Sequence, residues 1–343
     1  MPECEIVANS LVVAGAKVIS EQVVAIIGYG NQGRAHALNL RESGVKVVVG
    51  GRSGSTSRTR AEADGFRTAD SPQVAVHADL VIVSLPDEVH GTLCPPLLEA
   101  MKPSGVIGFL HGFSIHFGQV VVPEDRGVVL VAPKGPGTAL RARFVEGMGI
   151  PCLFAVHQGG TDPDRTEALA LGWAHGIGSA RAGVIRTTFR DETETDLFGE
   201  QIVLCGGLSE LIRNAFEVLV EAGYDPLLAY TECCHEVKQI ADLICDRGIS
   251  GMGRAISNTA RFGAMDAGQR IIDDSARIRM REVLADIQSG QFAKRVSEDA
   301  RDGSRRLGEY MAKTEAHPLE DAGRSLRTML PWLNSVGKSD EIR

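Results

Sequence analysis

The run Val23–Ile27 passes without interruption into Gly28-Tyr29-Gly30-Asn31-Gln32-Gly33 and then into the helix-compatible stretch RAHALNLRESG. A β-rich run, a GxGxxG turn and a helix in that order constrain the fold more than any other part of this chain. The glycines permit a tight turn and let a pyrophosphate approach the N-terminus of the helix, so the segment reads as the first βαβ unit of a dinucleotide site. Further β-rich runs follow at Val45–Val49, Leu80–Leu85, Val106–Leu110, Val128–Ala132 and Leu153–Val156. Their separation, about 20 to 35 residues, is what crossover connections between parallel strands require, and it predicts an α/β fold with a doubly wound parallel sheet. Asp162-Pro163 supplies the cap and first position of a helix that should run to about His175 and stop at Gly176.

After about Thr188 the strand pattern disappears. Helical patterns take over, at about Glu194–Cys205, Ser209–Ala222, Pro226–Asp246, Asp274–Gln288 and Pro318–Met329, punctuated by Gly206-Gly207, Gly223 and Gly248. The chain therefore divides into an N-terminal Rossmann-type domain over 1–187, an all-helical domain over 188–333 and a polar tail over 334–343. Its 343 residues, 43% hydrophobic and 23% charged, suit an ordinary soluble protein. A net charge of −8 argues against a nucleic-acid partner, which needs a basic surface. No apolar run approaches the length of a membrane span, and MPECEIVANS carries no basic leader. Seven cysteines without a CxxC pair read as reduced core residues of a cytoplasmic protein.

Two local patterns point to chemistry. Dinucleotide sites for NAD place a carboxylate about 20 residues beyond the glycines, on the ribose hydroxyls. Here the region reads Gly50-Gly51-Arg52-Ser53-Gly54-Ser55-Thr56-Ser57-Arg58, with guanidinium and hydroxyl groups and no acid. Arginine gives fork-shaped bonds to phosphate, so this loop favours NADP, the alternative being a polar surface loop. The second pattern is a pair of acidic couples, Asp196 with Glu200 and Glu232 with Glu236. Each is spaced i, i+4, which puts both carboxylates on one helix face. The first couple lies in DLFGEQIVLCGGL, apolar enough to be buried, where two like charges call for a hard cation between them. The second couple reads equally well as a solvated stripe with His235 and Gln239.

Taken with LPDEV, HGFSIHFGQ, APKGPG, ETETDLFGEQIVLCGGL, ECCHEVK, ISNTA, HPLEDAG and MLPWL, in unbroken order over residues 23–333, these stretches resemble the ketol-acid reductoisomerase (acetohydroxyacid isomeroreductase) family in its short form with a single helical domain. The resemblance implies an NADPH- and magnesium-dependent enzyme converting 2-acetolactate to 2,3-dihydroxyisovalerate in branched-chain amino-acid biosynthesis. It implies that Arg52, Ser55 and Ser57 hold the 2′-phosphate. Gly28, Tyr29, Gly30, Asn31, Gln32 and Gly33 would form the pyrophosphate turn, and Asp87 and Gly137 would be further cofactor contacts. His111 matches the catalytic histidine, and Lys134 is read as a catalytic group beside the metals. Asp196 and Glu200 match ligands to two Mg2+ ions from one subunit, Glu232 and Glu236 ligands from its neighbour, and Ser257 the substrate-contacting serine. At least a homodimer with shared sites follows.

The match is not complete. Asn31, Arg34, Thr138, Arg254, Ala255 and Arg261 depart from the family's usual residues and are expected to flank the substrate pocket. The natural acyl group is therefore open, and a paralogue serving secondary metabolism is one alternative. A metal-independent NADP hydroxyacid dehydrogenase and a non-catalytic dinucleotide-binding regulator are two others.

Overall fold

The computed structural model describes residues 4–330, so the expected tail over 334–343 and the last residues of MLPWL lie outside the described residues. The chain divides into two compact units, residues up to Thr195 and residues from Asp196. The expected boundary at 187/188 lies just ahead of the helix Phe189–Gly199, and the division falls inside that helix.

In the first unit, strands β1 (Glu5–Ile6), β2 (Val23–Ile27), β3 (Lys46–Gly50), β4 (Arg67–Ala69), β5 (Leu80–Val83), β6 (Val106–Phe109), β7 (Gly127–Pro133), β8 (Cys152–Gly159) and β9 (Val184–Arg186) form one sheet. The helices are α1 (Asn9–Ser20), α2 (Asn31–Glu42), α3 (Thr56–Ala63), α4 (Ser71–Ala75), α5 (His90–Ala100), α6 (Phe113–His116), α7 (Gly137–Val145), α8 (Pro163–Gly176) and α9 (Phe189–Gly199). The strand order is β1-β9-β8-β7-β6-β5-β2-β3-β4. Strands β4-β3-β2-β5-β6-β7 are parallel and reverse direction of winding between β2 and β5, which is the doubly wound arrangement.

The strands are near-continuous apolar runs because both faces are covered. Val24, Ile26, Leu80 and Ile82 pack on one side with α1, α2 and α8, through Ile19, Leu40, Leu169 and Trp173. Ala25, Ile27, Val81 and Val83 pack on the other with α4 and α5, through Val74 and Leu97. Some polar groups inside are matched: the Trp173 indole N–H donates to His36 Nδ1 at 2.9 Å, and Asn39 Nδ2 to the Ile177 carbonyl at 3.1 Å, whereas His36 Nε2 is buried without a hydrogen-bond partner among the described residues. Helix α8 spans the expected residues, capped by Asp162 accepting from the Arg165 amide.

The sheet is not parallel throughout. β8 runs antiparallel to β7, with Pro133 opposite Cys152. The connection through α7 leaves and re-enters at the same edge, the Lys134 amide donating to the Pro151 carbonyl at 2.9 Å, and a chain that returns to the edge it left must run back. The short strands β1, β4 and β9, two or three residues each, carry too little pattern to be read from sequence.

The second unit contains α10 (Gly206–Glu221), α11 (Pro226–Tyr230), α12 (Val237–Ala255), α13 (Asn258–Ile271), α14 (Asp274–Gln288), α15 (Gln291–Arg301), α16 (Arg305–Glu315) and α17 (Pro318–Thr328). Phe216, Ala229, Tyr230 and Ala322 form a small core. Gly248 is a kink within α12, at φ 68°, ψ 170°. Gly206-Gly207 does not interrupt the helices as expected. A π-helical turn, Glu200–Leu204, precedes α10 and brings the Gln201 and Ile202 carbonyls against the glycine α-carbons, leaving no room for a β-carbon. Much apolar surface is exposed in this unit, including Val203, Leu204, Ile249, Phe262 and Met265. The expectation that the DLFGEQIVLCGGL helix is buried fails for the single chain: its second half, Val203 to Cys205, faces outward.

Of the cysteines, only Cys94 and Cys152 are core residues, their thiols both pushed up to about 12 by burial; Cys4, Cys205 and Cys245 are exposed. Among the described residues no helix is long and apolar enough to cross a membrane.

Candidate functional site

The GxGxxG turn leaves β2 at the point where the sheet reverses its winding, outside the carboxyl ends of the strands. Gly28 has φ 94° and lies against the Ser84 backbone, so a side chain there is excluded twice over. Gly33 lies against the Gly28 carbonyl, which closes the turn onto α2. Gly30 differs: nothing lies within 4 Å of where its β-carbon would stand. That open space faces the first turn of α2, whose N-cap has no side-chain bond. A pyrophosphate fits this cradle, because a helix start offers unpaired amide groups and a partial positive charge.

Tyr29 contributes backbone only to the turn. Its ring is 2% exposed, and its hydroxyl donates to Asp64 Oδ2 at 2.8 Å. Burial raises the phenol strongly, with the Asp64 bond adding to it, so Tyr29 is a neutral structural group. Arg34 is held by the same carboxylate at 2.8 Å, which keeps Asp64 below the usual range. Gln32 Nε2 donates to the Gly135 carbonyl at 2.9 Å, tying the glycine turn to the APKGPG turn. Gly137 lies so close to the Asn31 backbone that a β-carbon would overlap it.

Beyond the turn lies a cavity of about 460 Å³. Arg52, Ser53, Ser55 and Ser57 form one wall, and Leu85, Leu93, Pro96 and Leu97 an apolar one, suited to an adenine ring. Ser55 also caps α3, its Oγ accepting from the Arg58 amide at 3.3 Å. Asp70, which the sequence gave no reason to include, lines the same cavity from the end of β4.

Around the end of β6, His111, Glu192 and Asp196 each offer a ligand atom, all within 4.8 Å of one another. Glu192 and Asp196 are one turn apart on the continuous helix α9. Glu192 is 1% exposed, and its charge is matched: Oε1 accepts from Lys134 Nζ and Oε2 from the Gly112 amide, each at 2.9 Å. Sequence reasoning missed Glu192, although the repeat of acids at 192, 196 and 200 was a usable signal. Asp87 Oδ2 lies 3.2 Å from His111 Nδ1, so the two side chains hold one another beyond the ends of β5 and β6. Beside it, buried His90 bonds Ser114 Oγ at 2.7 Å and the Leu85 carbonyl at 3.0 Å. The carbonyl can only accept, so Nε2 carries the proton; burial also lowers the affinity of His90 for a second proton.

Two carboxylates with an imidazole give an oxygen-rich set that fits a hard divalent cation. Glu200, exposed, opens the π-helical turn after α9; Glu232 lies within a second one, Thr231–His235, and Glu236 directly follows it, both also exposed. Neither acidic couple therefore sits on a regular α-helix as expected, and π turns recur at functional sites. Glu200, Glu232 and Glu236 are not in the His111 cluster. Ser257 caps α13, its Oγ accepting from the Ala260 amide at 3.1 Å, and Arg261 donates to the Gly253 carbonyl at 2.9 Å.

The doubly wound sheet and its open glycine cradle define a dinucleotide-dependent oxidoreductase. Residues 18–183 match the family model "Acetohydroxy acid isomeroreductase, NADPH-binding domain", and residues 189–332 match "Ketol-acid reductoisomerase, C-terminal domain". The fold is similar to an NADH-preferring ketol-acid reductoisomerase from an uncultured archean, at 38% identity and TM-score 0.89, covering 95% of this chain and 98% of that one. The chain belongs to the ketol-acid reductoisomerase family of NAD(P)-dependent oxidoreductases. Two more distant structures share the fold alone. A semialdehyde dehydrogenase NAD-binding protein from Cupriavidus necator matches at 18% identity and TM-score 0.61, over 78% of this chain and 99% of that one. A 1-pyrroline-5-carboxylate reductase from Streptococcus pyogenes matches at 15% and 0.51, over 78% and 98%.

Proposed function

We propose that this protein carries out magnesium-dependent alkyl migration in a 2-acyl-2-hydroxy acid, followed by reduction with NADPH. The preferred substrate on this reading is 2-acetolactate, the product 2,3-dihydroxyisovalerate, and the setting branched-chain amino-acid biosynthesis in the cytoplasm. One observation carries it: a buried, charge-matched carboxylate, a second carboxylate and an imidazole converge beyond the carboxyl end of β6, in the same sheet whose β2 leads into the dinucleotide cradle.

Asp196 and Glu200 of one copy, with Glu232 and Glu236 of a second, would hold the metal ions. When bound, two magnesium ions supply Lewis acidity at the substrate oxygens, and NADPH supplies the hydride. His111, oriented through Nδ1 by Asp87, presents Nε2 to take the proton from the substrate hydroxyl as the alkyl group moves. Lys134 holds Glu192 in place by donating to its Oε1. Ser257 would bind substrate through the proton of its hydroxyl, since its oxygen already serves the helix cap. A homodimer or larger assembly is supported by the exposed Val203, Leu204 and Leu211 close in sequence to Glu200, a surface that a second copy would cover.

The test is NADPH oxidation with 2-acetolactate, with and without magnesium. Activity that survives EDTA would favour the metal-independent dehydrogenase, and none with any 2-acyl-2-hydroxy acid would favour the regulator. A panel with 2-aceto-2-hydroxybutyrate and bulkier analogues reads out the paralogue alternative. A fully active monomer in light scattering would remove the shared site.

A further inference from the structure

The cavity beyond the glycine turn is lined by one cation and one anion. Arg52 has no ion-pair partner among the described residues, and the opposing charge is Asp70. Asp70 stands at the N-cap of α4, where a carboxylate ordinarily accepts from the helix amides, yet its side chain makes no such bond. Instead Oδ1 accepts from Arg58 Nη1 at 3.1 Å. Arg58 is also held by Glu62 Oε1 at 3.2 Å and Thr68 Oγ1 at 3.1 Å, and it does not line the cavity. Of these two guanidiniums, Arg58 is therefore engaged by two carboxylates, and Arg52 shares the cavity lining with Asp70.

This charge pattern is a poor match to a 2′-phosphate alone, which carries close to two negative charges. It is better matched to a choice between cofactors. Resting on the reading that this cavity receives the adenosine half of the dinucleotide, we propose that Asp70 sets the cofactor preference of the protein. Its carboxylate repels a 2′-phosphate and accepts from a 2′-hydroxyl, so the pocket discriminates weakly between NADPH and NADH although Arg52 and three serines favour the former. Sequence inspection of residues 50–58 finds no acid because the acid arrives from another strand end.

The experiment is titration of NADPH and NADH into the full chain, followed by nicotinamide fluorescence, with no turnover required. Asp70→Asn keeps a good helix cap and removes the charge. It should tighten NADPH binding about tenfold and leave NADH within about twofold, as expected for relieving a like charge beside a phosphate. Glu62→Gln, which loosens Arg58 without touching the cavity, should leave the ratio unchanged. An unchanged ratio in Asp70→Asn overturns the proposal, as does an equal shift in Glu62→Gln. Arg52→Gln tests the underlying reading separately: if it weakens neither cofactor, the cavity is not the adenosine site, whereas selective loss of NADPH with an inert Asp70 leaves that reading standing and removes only the proposal.

Discussion

Truncating Lys134 to Met should destabilise the first unit by an amount that its geometry fixes. Glu192 is 1% exposed and has two donors, the Lys134 ammonium and the Gly112 amide, each at 2.9 Å. Removing the cation leaves a buried carboxylate with one donor. Breaking a fully buried pair costs about 3–5 kcal/mol. The Lys134 side chain is about a third exposed, so water shares in the compensation and about 2 kcal/mol is the better figure. For a unit of this size that is a fall in Tm of about 4–8 °C. Adding Glu192→Gln should restore most of the loss, because a neutral amide oxygen still accepts from Gly112 and needs no cation. Urea unfolding followed by Trp173 fluorescence in a Trp332→Phe background reads this unit selectively, since Trp173 is fully buried within it. Strict additivity of the two substitutions, or a loss under about 0.5 kcal/mol for Lys134→Met, would refute the idea that the ammonium balances a buried charge.

Other outcomes are expected. His36 accepts from the Trp173 indole and is held near pKa 3 by burial, below its ordinary value of 6.5, so the unfolded chain binds the extra proton first. Its contribution is fully present above pH 6.5 and falls by about 1.4 kcal/mol per pH unit as the pH drops toward 3; His36→Gln should flatten that slope in a pH series of urea midpoints. Gly137→Ala should push α7 from α2 through the Asn31 backbone, with a lower Tm and at least about tenfold weaker dinucleotide binding by titration, because the pyrophosphate turn would move with it. Cys205 is exposed in the single chain beside Val203 and Leu204. If a second copy covers that face, Ellman's reagent should modify it only after dilution-induced dissociation; rapid reaction in the intact assembly would locate the interface elsewhere. Glu232→Gln should weaken magnesium activation about tenfold or more while leaving dinucleotide affinity alone, checked by metal titration beside a binding titration.

The fold was readable where pattern is dense. The strand-turn-helix around Gly28, the winding of the sheet and α8 all follow from local sequence, because apolar runs and glycine turns are short-range signals. The reversal of β8 was not readable, since direction depends on where α7 lies and not on the composition of the strand. Helices α13, α15 and α16 were missed, although α15 and α16 are clearly amphipathic. In the site, His111 and Asp196 converge as the motifs suggested, while Glu192 and Asp70 escaped notice for different reasons. Glu192 looked like one acid among several in ETETD until its burial was known. Asp70 lies twelve residues beyond Arg58 and meets it only through the β3–β4 pairing. The pairing of Arg34 with Asp64, thirty residues on, was likewise not legible in the sequence.

The two π turns, Glu200–Leu204 and Thr231–His235, each hold one residue more per turn than their flanking helices need. Deleting a single residue from either would tighten it to an α-helix and redirect the carboxylate that the turn carries, Glu200 in the first and Glu232 in the second. The helical unit is thus phased like a combination lock, tolerant of exchanged side chains on its outer faces but closed to insertions or deletions at these two places.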